Sequence, residues 1–181
     1  VHILGLPCDM ERIMNIARKH NLLVVEDACQ AWLAEINGKK IGTFGNAGCF
    51  SFQTSKNMPM GEGGAIISDD DAFMDRCFSY HNYGNPYGST AGQIGAGTVM
   101  IGTKLRITEY QAAIGLAQLE RLEEQTTIRN ENARYLKSLI EKIPGIVPYR
   151  LYENVTRAAF HLFPFLYNKE NFKELPRNKF I

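Results

Sequence analysis

Four apolar residues in succession, Leu22-Leu23-Val24-Val25, run straight into two acids, Glu26 and Asp27. An unbroken run of this length, β-branched at its end, reads as a buried strand, with polar residues where it emerges. The segment before it reads as a helix. Asp9 is placed to cap a helix from Met10 to about His20, with Ile13, Ile16 and Ala17 on one face and Asn21 ending it. A helix feeding a buried strand is the building unit of a parallel α/β sheet. Ligands of open α/β sheets bind at the carboxyl ends of the strands. Asp27 therefore stands where chemistry usually sits, although a cap or turn residue is the plainer reading.

The remaining punctuation agrees. Of 16 glycines, 13 fall between Gly38 and Gly102, so the middle third holds tight turns or close backbone approaches. Ala34 to Ile41 carries a hairpin signal, with Asn37-Gly38 as its turn. Ala47 to Phe52 and Ala65 to Ser68 read as strands, and Asp69 or Asp70 caps a helix reaching about Tyr80. Residues 82–102 read as loop. A long amphipathic helix, in one piece or two, is expected over Thr108 to Ile143, with Pro144-Gly145 stopping it. Ile114, Leu116, Leu119 and Leu122 have the spacing of a face packed on the large domain or on a partner. Ala158 to Leu166 reads as a strand of a second domain, and a helix starts at Asn171.

The chain has 181 residues, 45% of them hydrophobic and 22% charged, with a net charge of +1. That is a folded composition, and it lacks the basic excess of a nucleic-acid binder. No apolar run approaches a membrane span. Cys8, Cys29, Cys49 and Cys77 form no CxxC pair, so they read as reduced thiols of a cytoplasmic protein. Val1 to Leu4 also reads as buried strand, an unusual way for a chain to begin.

Three segments concentrate the chemistry: the strand ending in Glu26-Asp27-Ala28-Cys29-Gln30, the strand Cys49-Phe50-Ser51-Phe52 leading to Lys56-Asn57, and the turn Gly61-Glu62-Gly63-Gly64. A pyridoxal phosphate enzyme needs this set together. It needs a lysine amine to condense with the cofactor's aldehyde, a carboxylate to keep the pyridine nitrogen protonated, and hydroxyl and N–H donors for the phosphate. Lys56, Asp27 and Ser51 fill those roles. Each signal alone is weak, since a lone lysine on a loop is usually a surface residue and GEGG alone is a turn lacking the P-loop pattern.

Taken with Gly42-Thr43-Phe44-Gly45-Asn46-Ala47-Gly48, Arg106-Ile107-Thr108-Glu109-Tyr110-Gln111-Ala112-Ala113 and His161-Leu162-Phe163-Pro164-Phe165, these stretches resemble the DegT/DnrJ/EryC1/StrS sugar aminotransferases over nearly the whole chain. The resemblance implies an α/β protein with the fold of the type I pyridoxal phosphate enzymes, a mostly parallel sheet with flanking helices. Residues 1–143 would be part of the large cofactor-binding domain with the connecting long helix, and 144–181 the beginning of a small α+β domain. It implies an internal piece of a longer protein, inactive alone. It implies a homodimer moving an amino group from an amino acid, glutamate in much of the family, to a nucleotide-linked keto-sugar. Residue by residue, Lys56 matches the lysine that bonds the cofactor, Asp27 the acid facing the ring nitrogen, Gln30 a glutamine near the ring's 3-oxygen and Ser51 a phosphate ligand. Lys104 departs from the pattern. The family often has asparagine there, two residues before Arg106, reaching the phosphate of the partner subunit's site. A lysine would meet that phosphate as a point charge. His161 is a candidate for the substrate end, a packed or partly exposed histidine being the plainer reading, and Trp32 is placed to line the site, with core packing its plainer reading. The family's sugar dehydratases carry histidine at the Lys56 position, so Lys56 favours transamination over that alternative. A catalytically inactive regulatory member is the third reading.

Overall fold

The computed structural model describes residues 1–89 and 97–180. Part of the loop expected over 82–102 therefore lies outside the described residues. The strands are β1 (Val25–Asp27), β2 (Glu35–Ile36), β3 (Lys39–Lys40), β4 (Ala47–Ser51), β5 (Gly64–Ile67), β6 (Ile146–Pro148), β7 (Val155–Arg157) and β8 (Phe165–Tyr167). The helices are α1 (Met10–Lys19), α2 (Asp71–His81), α3 (Glu109–Ile140) and α4 (Arg177–Phe180). The strands form sheets in the orders β1-β4-β5, β3-β2-β7 and β6-β8.

The first sheet positions the site. β1 and β4 are parallel, with Val25 beside Ala47 and Asp27 beside Cys49. β5 returns antiparallel on the far side of β4, with Ser51 opposite Gly64. The architecture is mixed α/β. The parallel expectation is met between β1 and β4, while the other described ladders are antiparallel. The connection before β5 holds no helix and turns back through Gly61 at φ 95° and Gly63 at φ 134°, so β5 returns as an antiparallel partner and not through a helical crossover.

Local signals account for the element ends. The Asp9 side chain accepts from the Arg12 N–H at the start of α1, and Asp70 does the same for Phe73 at α2. Thr108 and Gln111 form a reciprocal capping box on α3, which runs unbroken for 32 residues. Asn37 (φ 50°) and Gly38 (φ 76°) make the left-handed pair of the β2–β3 hairpin turn.

Four expectations are corrected. Val1–Leu4 is not strand: Ile3–Gly5 is a 3-10 turn with Leu4 at φ 61°, and Val1 and Ile3 are exposed. The run Leu22–Val25 is strand only from Val25. Asn21 turns left-handed at φ 51°, the Leu22 N–H still bonds back to Ala17 of the helix, and Leu23 remains 83% exposed. Ala158–Leu166 is not one strand: Ala158–Phe160 is buried and irregular, Leu162 is exposed, and only Phe165 and Leu166 belong to a strand, β8. The 158–160 backbone groups bond sideways, the Ala159 N–H to Gly5 O and the Ala158 and Ala159 carbonyls to Asn130 and Asn57, and Phe160 at φ 45° breaks the extension. The helix expected from Asn171 is split by Lys173 and Glu174, both at positive φ, leaving a 3-10 turn and the short α4.

The core has two centres. Met10, Ala28, Ala31, Ala34, Ile36, Ile41 and Ala159 form one; Ala133, Tyr149, Ala158 and Phe160 form the other. The 158–160 stretch thus joins α3 to the first sheet. On α3 the buried stripe is Gly115, Leu122, Thr126 and Ala133. Ile114 and Leu116 lie off that stripe, Leu119 lies at its edge, and all three remain about half exposed or more within this chain.

Candidate active site

The parallel register brings the candidate residues to one end of the first sheet. Asp27 closes β1 and Ser51 closes β4. The connection from β4 to β5 leaves from the same end, tied by a bridge between Gln53 and Gly61. Lys56 sits in that connection, its N–H donating to Gln53 O at 2.9 Å. Gln30 follows β1 in the next turn, and its Oε1 accepts from the Leu4 N–H at 2.6 Å. The Ser51 Oγ accepts from the Gln53 N–H at 3.2 Å, which leaves its own hydrogen for a ligand. Lys56, Asp27, Gln30 and Ser51 are all half-buried.

Electrostatics give these groups distinct states. Burial pushes the Asp27 carboxyl up, but hydrogen bonds from Cys29, the N–H at 3.1 Å among them, with the charge of His2, hold it below its ordinary value. It stays an anion at neutral pH. The Cys29 thiol is pushed up to about 11, first by burial and then by Asp27, so it stays protonated. The Lys56 charge acts in the opposite sense on Cys29, and it also lowers His161. Lys56 therefore lies within electrostatic reach of both the β1 end and the 158–161 stretch.

Trp32 packs on Phe50 and Phe52 with ring centroids 4.6 and 5.4 Å away, and its Nε1–H donates to Ser51 O at 3.1 Å. It braces the end of β4 from beside the site. Lys104 lies apart. It is exposed and bridges to Asn82 just past α2, and no hydrogen bond among the described residues links it to Asp27, Ser51 or Lys56.

The sequence reading missed the network beneath the site. His2 and Glu26 are 1% and 2% exposed. The Glu26 carboxylate accepts from the N–H groups of Gly42, Phe44 and Gly45 at 2.8, 2.6 and 2.7 Å, and from His2 Nε2 at 3.2 Å. His2 Nδ1 accepts from the Cys8 N–H at 3.1 Å, so the network assigns the ring hydrogen to Nε2. The His2 N–H also donates to Asp27 O at 3.0 Å. Burial alone would raise Glu26, yet these donors hold it below its ordinary value; burial would lower His2, yet Cys8 and Glu26 raise it. The signal that could have found this network is an acid beside the Gly42–Gly45 loop, whose crowded N–H groups need an acceptor.

A cavity of about 1110 Å³ opens between β4–β5 and α2, lined by Cys49, Phe50, Met74, Cys77 and Phe78 among others. None of the five candidate residues lines it, so size alone would point away from the chemistry. Among the described residues, no group of three or more His, Cys, Asp or Glu side chains is arranged to hold a metal ion. No described helix is long and apolar enough to cross a membrane.

A half-buried lysine, a carboxylate held anionic and a serine hydroxyl, gathered at the carboxyl end of a parallel strand pair, suit a type I pyridoxal phosphate enzyme. Residues 1–180 match the model of the DegT/DnrJ/EryC1/StrS aminotransferase family, and the chain belongs to it. Members of that family depend on pyridoxal phosphate. The chain is similar to the GDP-perosamine synthase of Escherichia coli O157:H7, 37% identical over 79% of this chain and 38% of that protein. It is also similar to a putative L-glutamine:3-amino-2,3-dideoxy-scyllo-inosose aminotransferase of Streptoalloteichus tenebrarius, 34% identical over 100% of this chain and 43% of that protein. Among solved structures it resembles 3-amino-5-hydroxybenzoic acid synthase, with a TM-score of 0.82 and 30% identity over 91% of this chain and 42% of that one. The chain thus spans less than half the length of these relatives.

Proposed function

We propose that this chain carries the lysine-bearing part of an aminotransferase that moves nitrogen from an amino acid, glutamate or glutamine, to a nucleotide-linked keto-sugar. One observation carries the reading: the Asp27–Cys49 register sets the carboxylate, the Ser51 hydroxyl and the Lys56 turn at one strand end. The residues suit pyridoxal phosphate by their chemistry. Lys56 would bond its aldehyde carbon, Asp27 its ring nitrogen, Gln30 the region of its 3-oxygen, and Ser51 its phosphate.

When bound, the cofactor supplies an electron sink for the charge left on the donor's α-carbon. The chain's own groups do the rest. Asp27, held anionic, keeps a proton on the ring nitrogen and so keeps the sink effective. Lys56, freed when the donor binds, carries a proton from the donor's α-carbon to the cofactor's aldehyde-derived carbon. Trp32 and the Glu26–His2 network hold the strand ends that aim these groups. Lys104 would reach the partner subunit's phosphate in a homodimer, in keeping with its exposure and its distance in the network from Asp27. Residues 1–143 would form part of the large domain and 144–181 the start of the small one, the 158–160 stretch anchoring one to the other. Four free thiols fit the reducing cytoplasm.

An amino-transfer assay on the holoenzyme with a panel of nucleotide keto-sugars tests the reading. Lys56→Ala should abolish turnover on the accepted sugar by several orders of magnitude, because proton transfer and covalent capture are lost together. An unimpaired Lys56→Ala enzyme would end it.

A further inference from the structure

The loop that carries Lys56 changes character at that residue. Thr54 and Ser55 before it are exposed, while Asn57, Met58 and Met60 after it are 3%, 6% and 4% exposed. Local bonds build the exposed half. The Lys56 N–H donates to Gln53 O at 2.9 Å, and Gln53 Oε1 accepts from the Ser55 N–H at 2.8 Å and from its hydroxyl at 2.6 Å. The buried half is held from outside the loop. Asn57 Nδ2 donates to Ala159 O at 2.8 Å, and Asn57 Oδ1 lies 3.2 Å from His161 Nδ1. Because the amide nitrogen is turned to Ala159, the oxygen accepts from His161, which puts the ring hydrogen on Nδ1. One planar amide thus makes two unlike bonds to residues 102 and 104 positions further along the chain.

The segment it meets is itself tied down. The Ala159 N–H donates to Gly5 O at 2.8 Å, the Leu162 N–H donates to Leu4 O at 3.2 Å, and Ala158 O accepts from Asn130 at 2.7 Å. Between the two groups that bond Asn57, Phe160 stands at φ 45°. A phenylalanine in the left-handed region is strained, and such strain persists only where surrounding contacts hold it. Here it accompanies a main-chain oxygen and a ring nitrogen brought onto one amide. Burial first, then the charges of Lys56 and Arg129, hold His161 below its ordinary value. The neutral ring carries a single N–H, the one given to Asn57.

We propose that Asn57 is a positioning residue for Lys56. The inference rests on the assignment of Lys56 above. Gln53 fixes the backbone on one side of Lys56, and the doubly bonded Asn57 fixes it on the other, with neighbouring Cα atoms only about 3.8 Å apart. The lysine backbone is then in place before the cofactor arrives. Its ordering is not charged to the step in which amine and aldehyde join with loss of one water. The role calls for an amide, since aspartate could not donate to Ala159 O and an apolar side chain would leave that buried oxygen without its donor.

A double-mutant cycle in the full-length enzyme separates positioning from plain stability. The Kd of pyridoxal phosphate is measured by equilibrium dialysis for wild type, Asn57→Ala, Lys56→Ala and the double variant. Asn57→Ala should raise this Kd about tenfold where Lys56 is present and less than about twofold where it is absent, since Asp27, Gln30 and Ser51 then hold the cofactor without the lysine. His161→Ala should weaken binding by about threefold or more in the same lysine-dependent way, whereas His161→Asn, whose Nδ2 replaces the ring Nδ1–H, should stay within about twofold of wild type. An Asn57→Ala loss equal with and without Lys56, or no loss at all, would overturn the proposal. If Asn57→Ala does not fold, the histidine variants decide, and an equal Kd for His161→Ala and His161→Asn overturns it. Borohydride labelling of the wild type keeps the two claims apart: absence of label on Lys56 sinks the Lys56 assignment, whereas a labelled Lys56 with a lysine-independent cycle sinks only the role of Asn57.

Discussion

Glu26 was read only as the polar residue marking a strand's exit, yet it is buried and accepts four hydrogen bonds. Its neighbour Asp27, on the alternate side of the strand, is the one available to a ligand. No periodicity separates two adjacent acids; what separates them is the loop 42–45 folding over one of them. Glu26→Gln should destabilise the protein by about 3 kcal/mol, since an amide cannot accept at its nitrogen and leaves buried donors unpaired. The carboxyl's folded value lies below its ordinary 4.5. Its contribution is therefore complete above that value and fades as pH falls through the lowered one. His2 is raised from its ordinary 6.5, so its contribution is complete below that value and fades as pH rises through the raised one. Denaturation curves across pH should show the wild-type advantage over Glu26→Gln largest above about pH 4.5 and shrinking towards acid. A difference independent of pH would contradict this account of the network.

Elements announced by local chemistry were legible in the sequence. Asp9 and Asp70 capped the helices they were placed to cap, the long helix began next to the expected Thr108, and Asn37-Gly38 made the hairpin turn. Thr108→Ala should lower stability by about 1 kcal/mol, read as a lower midpoint in thermal unfolding, because it removes the Oγ1 that accepts from the Gln111 N–H, the side-chain half of the capping box. Elements decided by tertiary partners were not legible. Ala158–Phe160 has the composition of a strand, but its backbone groups are claimed by Gly5, Asn57 and Asn130 from three distant segments. Leu22 and Leu23 look like buried strand until the helix end at Asn21 delays pairing to Val25. The stripe that α3 buries could not be chosen from spacing alone either, since 114, 116 and 119 have apolar side chains yet stay exposed while Leu122 and Ala133 are buried.

For the whole molecule, the linking segment is 155–161. It adds β7 to the β2–β3 hairpin, fills both core centres and carries His161 towards Asn57 and Lys56. The candidate site thus draws on the ends of β1 and β4 and the β4–β5 connection, with this segment held against it through Asn57. The meeting of Asp27, Ser51 and the Lys56 connection at one strand end was legible because each closes or follows a strand whose direction the pattern predicts. The central claim is that Lys56 is the residue that bonds the cofactor. Reduction of the holoenzyme with borohydride, followed by digestion and mass spectrometry, reads it directly. A pyridoxyl adduct on the peptide bearing Lys56, and on no other lysine, is the predicted result; an adduct on another lysine, or none, would contradict it.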